Sequence, residues 1–207
     1  MAENFYVNTV GKVAQTKLAE VIDLGKSLAQ ESKVAGSERA SIGTIMTGTN
    51  AGGVVFQQFF NSLDNFASVM DAFANSGTYE KIMLTGLKVT MRNIAKFCDV
   101  PFDGPAHPTR KYVVLTRGTS HILQTELMDM MAEAAPMFAE TGAQTFRFAR
   151  IMTGNNAGDF LLGVTYPSMA EIEATYDALA SSPVAAKIYA SLDVNLRTVI
   201  KVQGAAT

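Results

Sequence analysis

The sequence predicts an α+β protein in which one β-α-β-β-α-β unit occurs twice and the two units pack sheet to sheet as one pseudo-twofold barrel. Three observations predict it. The stretch Ile45-Met46-Thr47-Gly48-Thr49-Asn50-Ala51-Gly52 returns as Ile151-Met152-Thr153-Gly154-Asn155-Asn156-Ala157-Gly158, which places Met46 and Met152 106 positions apart. Matches at that offset then run along the chain: Tyr6 with Tyr112, Glu20 with Glu126, Gly36 with Gly142, Asp71 with Asp177, Lys81 with Lys187. A repeat this long is a duplicated domain and not a solenoid. Finally, Asp99-Val-Pro-Phe-Asp-Gly-Pro-Ala-His-Pro108 joins the copies, and its prolines make it extended. The boundaries that follow are a repeat over 1–102, a Pro-rich linker over 103–108 and a repeat over 109–207.

Each element has a local reason. Phe5–Val10 and its counterpart Lys111–Thr116 are short runs of β-branched and aromatic residues. Val13, Leu18, Val21, Ile22, Leu24 and Leu28 form a helical stripe ending before Gly36, and Ile122, Leu123, Leu127, Met130, Met131 and Ala134 form the matching one before Gly142. Ala40–Met46 reads as a strand. The Asn-Ala-Gly step after it suits a hairpin, since Asn and Gly tolerate positive φ. Val54–Phe60 and Phe160–Tyr166 are the return strands. Ser62 and Ser168 stand where an N-cap belongs, ahead of helices carrying Phe66, Val69 and Phe73 or Ile172, Tyr176 and Leu179. Breaks at Ser76-Gly77 and Ser182-Pro183 precede a short third helix. Leu87–Ala95 and Asp193–Val202 close the repeats as strands.

This is the ferredoxin-like order. A four-stranded sheet of that kind has helices on one face only, so its other face needs a cover, and a second sheet supplies one. The hairpin Gly-x-Asn-Ala-Gly, the step Tyr166-Pro-Ser-Met-Ala-Glu and the stretch Ala-Leu-Ala-Ser-Ser-Pro183 together resemble the dimeric α+β-barrel superfamily, in particular its NIPSNAP-like and uncharacterised barrel domains. The first repeat departs from the pattern at Phe60-Asn61-Ser62 and Ser76-Gly77. The resemblance implies a fused pair of barrel halves. It spans cofactor-free monooxygenases, isomerases, haem enzymes and proteins without known activity, so it selects no function by itself.

Composition narrows the classes. The net charge is −2 and no basic run occurs, which argues against nucleic-acid binding. A lone cysteine, Cys98, precludes an internal disulfide and fits a reducing compartment. No signal pattern or membrane-length apolar run is present, so a cytoplasmic location is expected. Metal-ligand spacings, P-loops, dinucleotide fingerprints and nucleophile elbows are all missing, and no cofactor is implied by a motif.

The candidate site residues are few. His121, at the start of a helix near one barrel mouth, could serve as general base or ligate haem iron. His107 sits in the linker. Arg147 and Arg150 are three apart and so point to opposite faces of their strand. Asn195 and Arg197 share a face of the last strand, with Lys201, opposite Val194, Leu196 and Ile200; that places them toward the barrel interior or rim. Tyr6 and Tyr112 offer matched hydroxyls, while Gln57 and Gln58 make the halves unequal. An arginine in a half-apolar cavity favours an anionic partner. The expected partner is therefore a small acidic or phenolic ligand, held by a monomeric barrel or a homodimer of barrels. Three functions fit: a small-molecule-binding barrel, a cofactor-independent monooxygenase or isomerase acting on an aromatic or polyketide-like substrate, and a haem-binding barrel.

Overall fold

The computed structural model describes residues 3–106 and 110–207; His107 and Pro108 of the linker lie outside the described residues. The first repeat runs β1 (Phe5–Lys12), a 3-10 turn (Gln15–Lys17), α1 (Leu18–Ala35), β2 (Arg39–Ile45), β3 (Val54–Phe60), α2 (Leu63–Ala74), α3 (Gly77–Leu84) and β4 (Lys88–Phe97). The second runs β5 (Tyr112–Ser120), α4 (Gln124–Glu140), β6 (Thr145–Ile151), β7 (Phe160–Tyr166), α5 (Met169–Ser181), α6 (Pro183–Ser191) and β8 (Leu192–Ala206). The strands hydrogen-bond in the order β1-β3-β2-β8-β5-β7-β6-β4 and close into a barrel. The α+β class and the doubled β-α-β-β-α-β order are therefore those expected from sequence. Among the described residues no helix is long and apolar enough to cross a membrane.

Two compact units result. One holds the described residues up to Lys96 with Met152–Ala157 and Ile200–Thr207; the other holds Phe97–Ile151 and Gly158–Val199. In the first, β1 pairs antiparallel with β3 and β4, and the end of β8 pairs antiparallel with β2, Ala206 opposite Ala40 and Ile200 opposite Ile45. Its helical side buries Val7, Leu28, Phe60, Val69, Phe73 and Ile82 together. In the second, Val114, Leu127, Phe138, Phe146, Phe148 and Phe160 anchor the corresponding core. Phe148 and Phe160 stack there, 5.2 Å between centroids and 3° from parallel.

The local signals act as their chemistry dictates. Ser62 Oγ accepts from Asn65 N at 3.3 Å and Ser168 Oγ from Ala170 N at 3.1 Å, capping α2 and α5. Ser76 and Ser182 cap α3 and α6 in the same way. In the hairpins, Gly48, Gly52, Gly154 and Gly158 take the positive φ, and none of the asparagines does. Gly52 N donates to Ile45 O at 2.8 Å and Gly158 N to Ile151 O at 2.9 Å, so both turns close through the same bond.

The register of the duplication differs from the single offset of 106. In β1, Phe5 lies opposite Phe60, whereas in β5 it is Tyr112 that lies opposite Tyr166, the counterpart of Phe60. The first strands thus correspond at 107, and Tyr6 matches Val113, not Tyr112. The middle elements keep 106. A further residue, Gly86 with φ 81°, sits between α3 and β4. Beyond it Leu87-Lys-Val-Thr-Met-Arg92 corresponds to Leu192-Asp-Val-Asn-Leu-Arg197 at 105. The first repeat therefore carries two extra residues, one on each side of its 106-offset middle.

Two glycines separate backbone strain from crowding. A Cβ on Gly52 meets nothing within 4 Å, while one on Gly43 falls 2.6 Å from Ile200 Cγ2 and 3.0 Å from Lys201 O. Gly52→Ala is expected to cost about 1–2 kcal/mol through its backbone conformation alone, and Gly43→Ala about 1–3 kcal/mol through displacement of β8. Urea unfolding checks both, and only the Gly43 variant should perturb amide signals around Ile200.

Candidate functional site

Side chains alternate across a strand, and in the second repeat the face toward the helices is apolar. Under α5 and α6 this face does not close completely. A cavity of about 60 Å³ remains, walled by Val114, Phe148, Phe160 and Leu162 from the sheet and by Phe138, Leu179 and Ile188 from the helices. Its polar lining is confined to Thr116, Tyr166, Thr175, Tyr176, Tyr189 and Arg197. A closed cavity that takes benzene measures roughly 150 Å³. An aromatic ligand must therefore protrude past Tyr189, which is 44% exposed at the edge, or displace it.

Arg197 reaches this cavity because β8 does not keep strict alternation. Val194 and Arg197 are three residues apart and line the same pocket. The expectation that Arg197 points away from Val194 is corrected accordingly: it lies on the helical side. Its Nη2 donates to Tyr189 Oη at 3.2 Å. The guanidinium carbon sits 5.2 Å from the Tyr176 ring centroid and 5.7 Å from that of Tyr189. Among the described residues it forms no ion pair with a carboxylate.

The tyrosines here are held protonated. Burial pushes the Tyr166 phenol well above its ordinary range; a hydrogen bond with Thr175 offsets part of this and nearby Tyr176 adds to it. Burial also raises Tyr176, against the lowering influence of Arg197. These phenols are hydrogen-bond donors near neutral pH, and among the described residues no His, Cys, Asp or Glu lines the cavity. The arrangement can hold an oxyanion at its mouth and an apolar body beneath. It does not supply a proton acceptor.

The remaining sequence candidates are dispersed. His121 is half exposed and its Nε2 lies 2.9 Å from Asp193 Oδ2, outside the cavity lining. Tyr112 packs in the helix-side core. Tyr6 is buried on the opposite face of its own sheet, where Oη accepts from Gln57 Nε2 at 2.6 Å and donates to Asn8 Oδ1 at 3.2 Å. Arg147 lies against the Phe97 ring. Arg150 lies against Phe160 and donates to Gln124 Oε1 at 3.4 Å. Asn195 belongs to a surface network: it accepts from Arg117 Nε at 2.7 Å and donates to Thr119 and Asp159. Lys201 is exposed. Sequence reasoning missed Tyr176 and Tyr189 as pocket residues because each sits on a helical stripe that reads as core. It also missed Arg92, whose signal is the Leu-x-Val-x-x-Arg step shared with β8.

Comparison with known proteins agrees with the duplicated register. The family described as "Domain of unknown function (DUF6854)" matches twice, over residues 3–97 and 110–202. The chain belongs to this family. The two matches start 107 residues apart (110 − 3) and end 105 apart (202 − 97), the offsets found in the first and last strands. No curated protein matches the chain. Among solved structures, a Fusobacterium nucleatum protein assigned as a monooxygenase is similar at TM-score 0.68 and 11% identity, covering 100% of this chain and 96% of that one. A point mutant of chlorite dismutase from Candidatus Nitrospira defluvii is similar at 0.64 and 9%, covering 98% and 92%. An anthrone oxidase-like protein is similar at 0.62 and 14%, covering 99% and 93%. At these identities the likeness is one of fold. What they share with this chain is the α+β-barrel fold.

The buried phenols give a pH prediction. Burial also raises Tyr6, so the folded chain retains protons on Tyr6 and Tyr166 that the unfolded chain releases near pH 10. Their contribution is complete below about pH 10 and is lost as pH rises further. The urea midpoint should fall steeply above that pH, with tyrosinate absorbance appearing together with unfolding. In Tyr6→Phe/Tyr166→Phe the alkaline fall should be shallower; an unchanged slope would contradict the assignment.

Proposed function

We propose that the second-repeat pocket binds a small aromatic anion, a phenolate or carboxylate on an apolar ring. The observation that carries this reading is Arg197: a cation at the mouth of an apolar cavity, with tyrosines and, among the described residues, no carboxylate as its partners. Arg197 is exposed at that mouth, and its planar guanidinium fork suits two-oxygen recognition of an anion. The parallel Phe148 and Phe160 rings offer a wall for a flat ligand. Tyr176 and Tyr189 add phenol donors at the same mouth. This is a ligand-binding function, and no cofactor enters into it.

An enzymatic form of the reading is a cofactor-independent monooxygenase or isomerase acting on an aromatic or polyketide-like substrate. Its support is the fold shared with a protein assigned as a monooxygenase and with an anthrone oxidase-like protein. Arg197 and the tyrosines would stabilise an enolate or phenolate oxygen as charge develops. Because no carboxylate or imidazole lines the cavity, the substrate must be acidic enough to arrive as its anion. His121 as base, and Tyr112 or Arg150 as oxyanion partners, gain no support from their positions.

The test is calorimetric titration of the full chain with 4-nitrophenol across its own ionisation. The expected result is saturable binding of the phenolate and much weaker binding of the neutral phenol. Arg197→Gln should weaken phenolate binding about 10- to 100-fold, the loss of a charge-assisted hydrogen bond. Equal affinity for phenol and phenolate, with no effect of Arg197→Gln, would sink the proposal.

A further inference from the structure

The first repeat contains a cavity built like the one around Arg197. It is about 50 Å³ and lies between the β1–β4 sheet and helices α1, α2 and α3. Its parts correspond element by element at the three offsets. Thr9 stands for Thr116 and Gly11 for Gly118 at 107; Ile42, Phe73 and Ile82 stand for Phe148, Leu179 and Ile188 at 106; Leu87, Val89 and Arg92 stand for Leu192, Val194 and Arg197 at 105. The pairing of β1 with β4 supplies the mechanism for the last group. Val10 lies opposite Met91 and Gly11 opposite Val89, so Thr90 is the extra residue of a bulge. The bulge brings Val89 and Arg92 onto one face although they are three apart.

Arg92 is less compensated than Arg197. Its Nε donates to Thr9 Oγ1 at 3.0 Å and its Nη1 contacts Met70 Sδ at 3.7 Å. Among the described residues its Nη2 makes no hydrogen bond and no carboxylate pairs with it. The aromatic residues that face Arg197 are replaced here: Met70 occupies the place of Tyr176 and Met83 that of Tyr189. The sheet wall is Ile42, Val54 and Phe56 where the second repeat has Phe148, Phe160 and Leu162, and Phe73 and Tyr79 lie in the roof. The thioethers beside Arg92 and the branched Ile42 and Val54 next to them adapt to a flexible chain better than to a flat ring. Further along β3, buried Gln58 puts an amide where the second repeat has Val164, which ends the apolar wall after a short distance.

We infer that the first repeat holds a second, independent ligand site, built on Arg92 and Thr9, that takes a short aliphatic carboxylate. Each chain then carries two anion pockets of different shape selectivity. The Arg92 site does not depend on what the Arg197 pocket binds.

The test uses sodium hexanoate and 4-nitrophenolate as probes of the full-length protein, read by amide NMR. Hexanoate should shift Thr9, Gly11 and Val89 saturably, and 4-nitrophenolate should shift Gly118 and Val194. Arg92→Gln should weaken hexanoate at least about tenfold while leaving 4-nitrophenolate affinity unchanged. Met83 is 40% exposed on α3, so Met83→Trp keeps the fold and should block hexanoate sterically. Hexanoate shifts confined to the Arg197 pocket, or equal hexanoate affinity in the wild type and both variants, would overturn the inference. Failure of 4-nitrophenolate alone, with the Arg92 response intact, would count against the Arg197 pocket and support the independence of this one.

Discussion

A β-strand turns successive side chains to opposite faces, and both pockets depend on the local breach of that rule in the last strand of each repeat. With strict alternation, Val89 and Arg92 would lie on opposite faces, as would Val194 and Arg197. The extra residue at Thr90 turns the arginine to the helical side while leaving the valine there. That step places a cation against a surface otherwise built to bury hydrocarbon. Helices α2 and α3, or α5 and α6, lie over that surface and line the cavity together with the arginine.

From this shared frame the two sites diverge by a few exchanges. Where α4 presents Met131 to the second cavity, α1 presents Gly25, whose absent side chain leaves room for Ile42. Phe148 and Phe160 stack in the second repeat, whereas Phe73 in the first stacks instead on Tyr79 of α3, 5.6 Å between centroids. The aromatic weight moves from the sheet wall to the roof. The exchange of Tyr176 and Tyr189 for Met70 and Met83 removes both rings beside the arginine. These are replacements of volume and polarizability within one backbone plan, the kind a packed core accommodates at modest cost.

Much of the fold was legible because its signals are local. A glycine that takes positive φ, a serine ahead of an apolar helix and a run of β-branched residues each act within a few positions, and each was readable as it stood. The site was less legible because it depends on register. A single offset of 106 is correct for the hairpin and the middle elements. It sets Tyr6 against Tyr112, residues that face opposite sides of their sheets, and it sets Arg197 against Met91 and so conceals Arg92. Residues chosen for their chemical type alone, such as His121, Arg147 and Asn195, are dispersed over the surface, since type does not fix where a strand aims a side chain. Tyr176 and Tyr189 were hidden for another reason: a tyrosine on an amphipathic stripe reads as packing until the cation beside it is seen.

The energetics of the two arginines differ in a way that bears on function. Arg197 is exposed and Arg92 half-buried, so the cost of withdrawing a guanidinium from water without an anion falls mainly on Arg92. At Arg197 two aromatic rings and a phenol oxygen accompany the cation, and a cation near a ring at an exposed site is worth about 0.5–1 kcal/mol. At Arg92 a threonine hydroxyl and a thioether sulfur offset less, because neither presents a negative face of comparable extent. An incoming anion therefore has more to gain at Arg92 from the cation itself, and more to gain at Arg197 from the rings around it. Discrimination between flat and flexible anions then follows from how each arginine is already accompanied, without any difference in the strand that carries it.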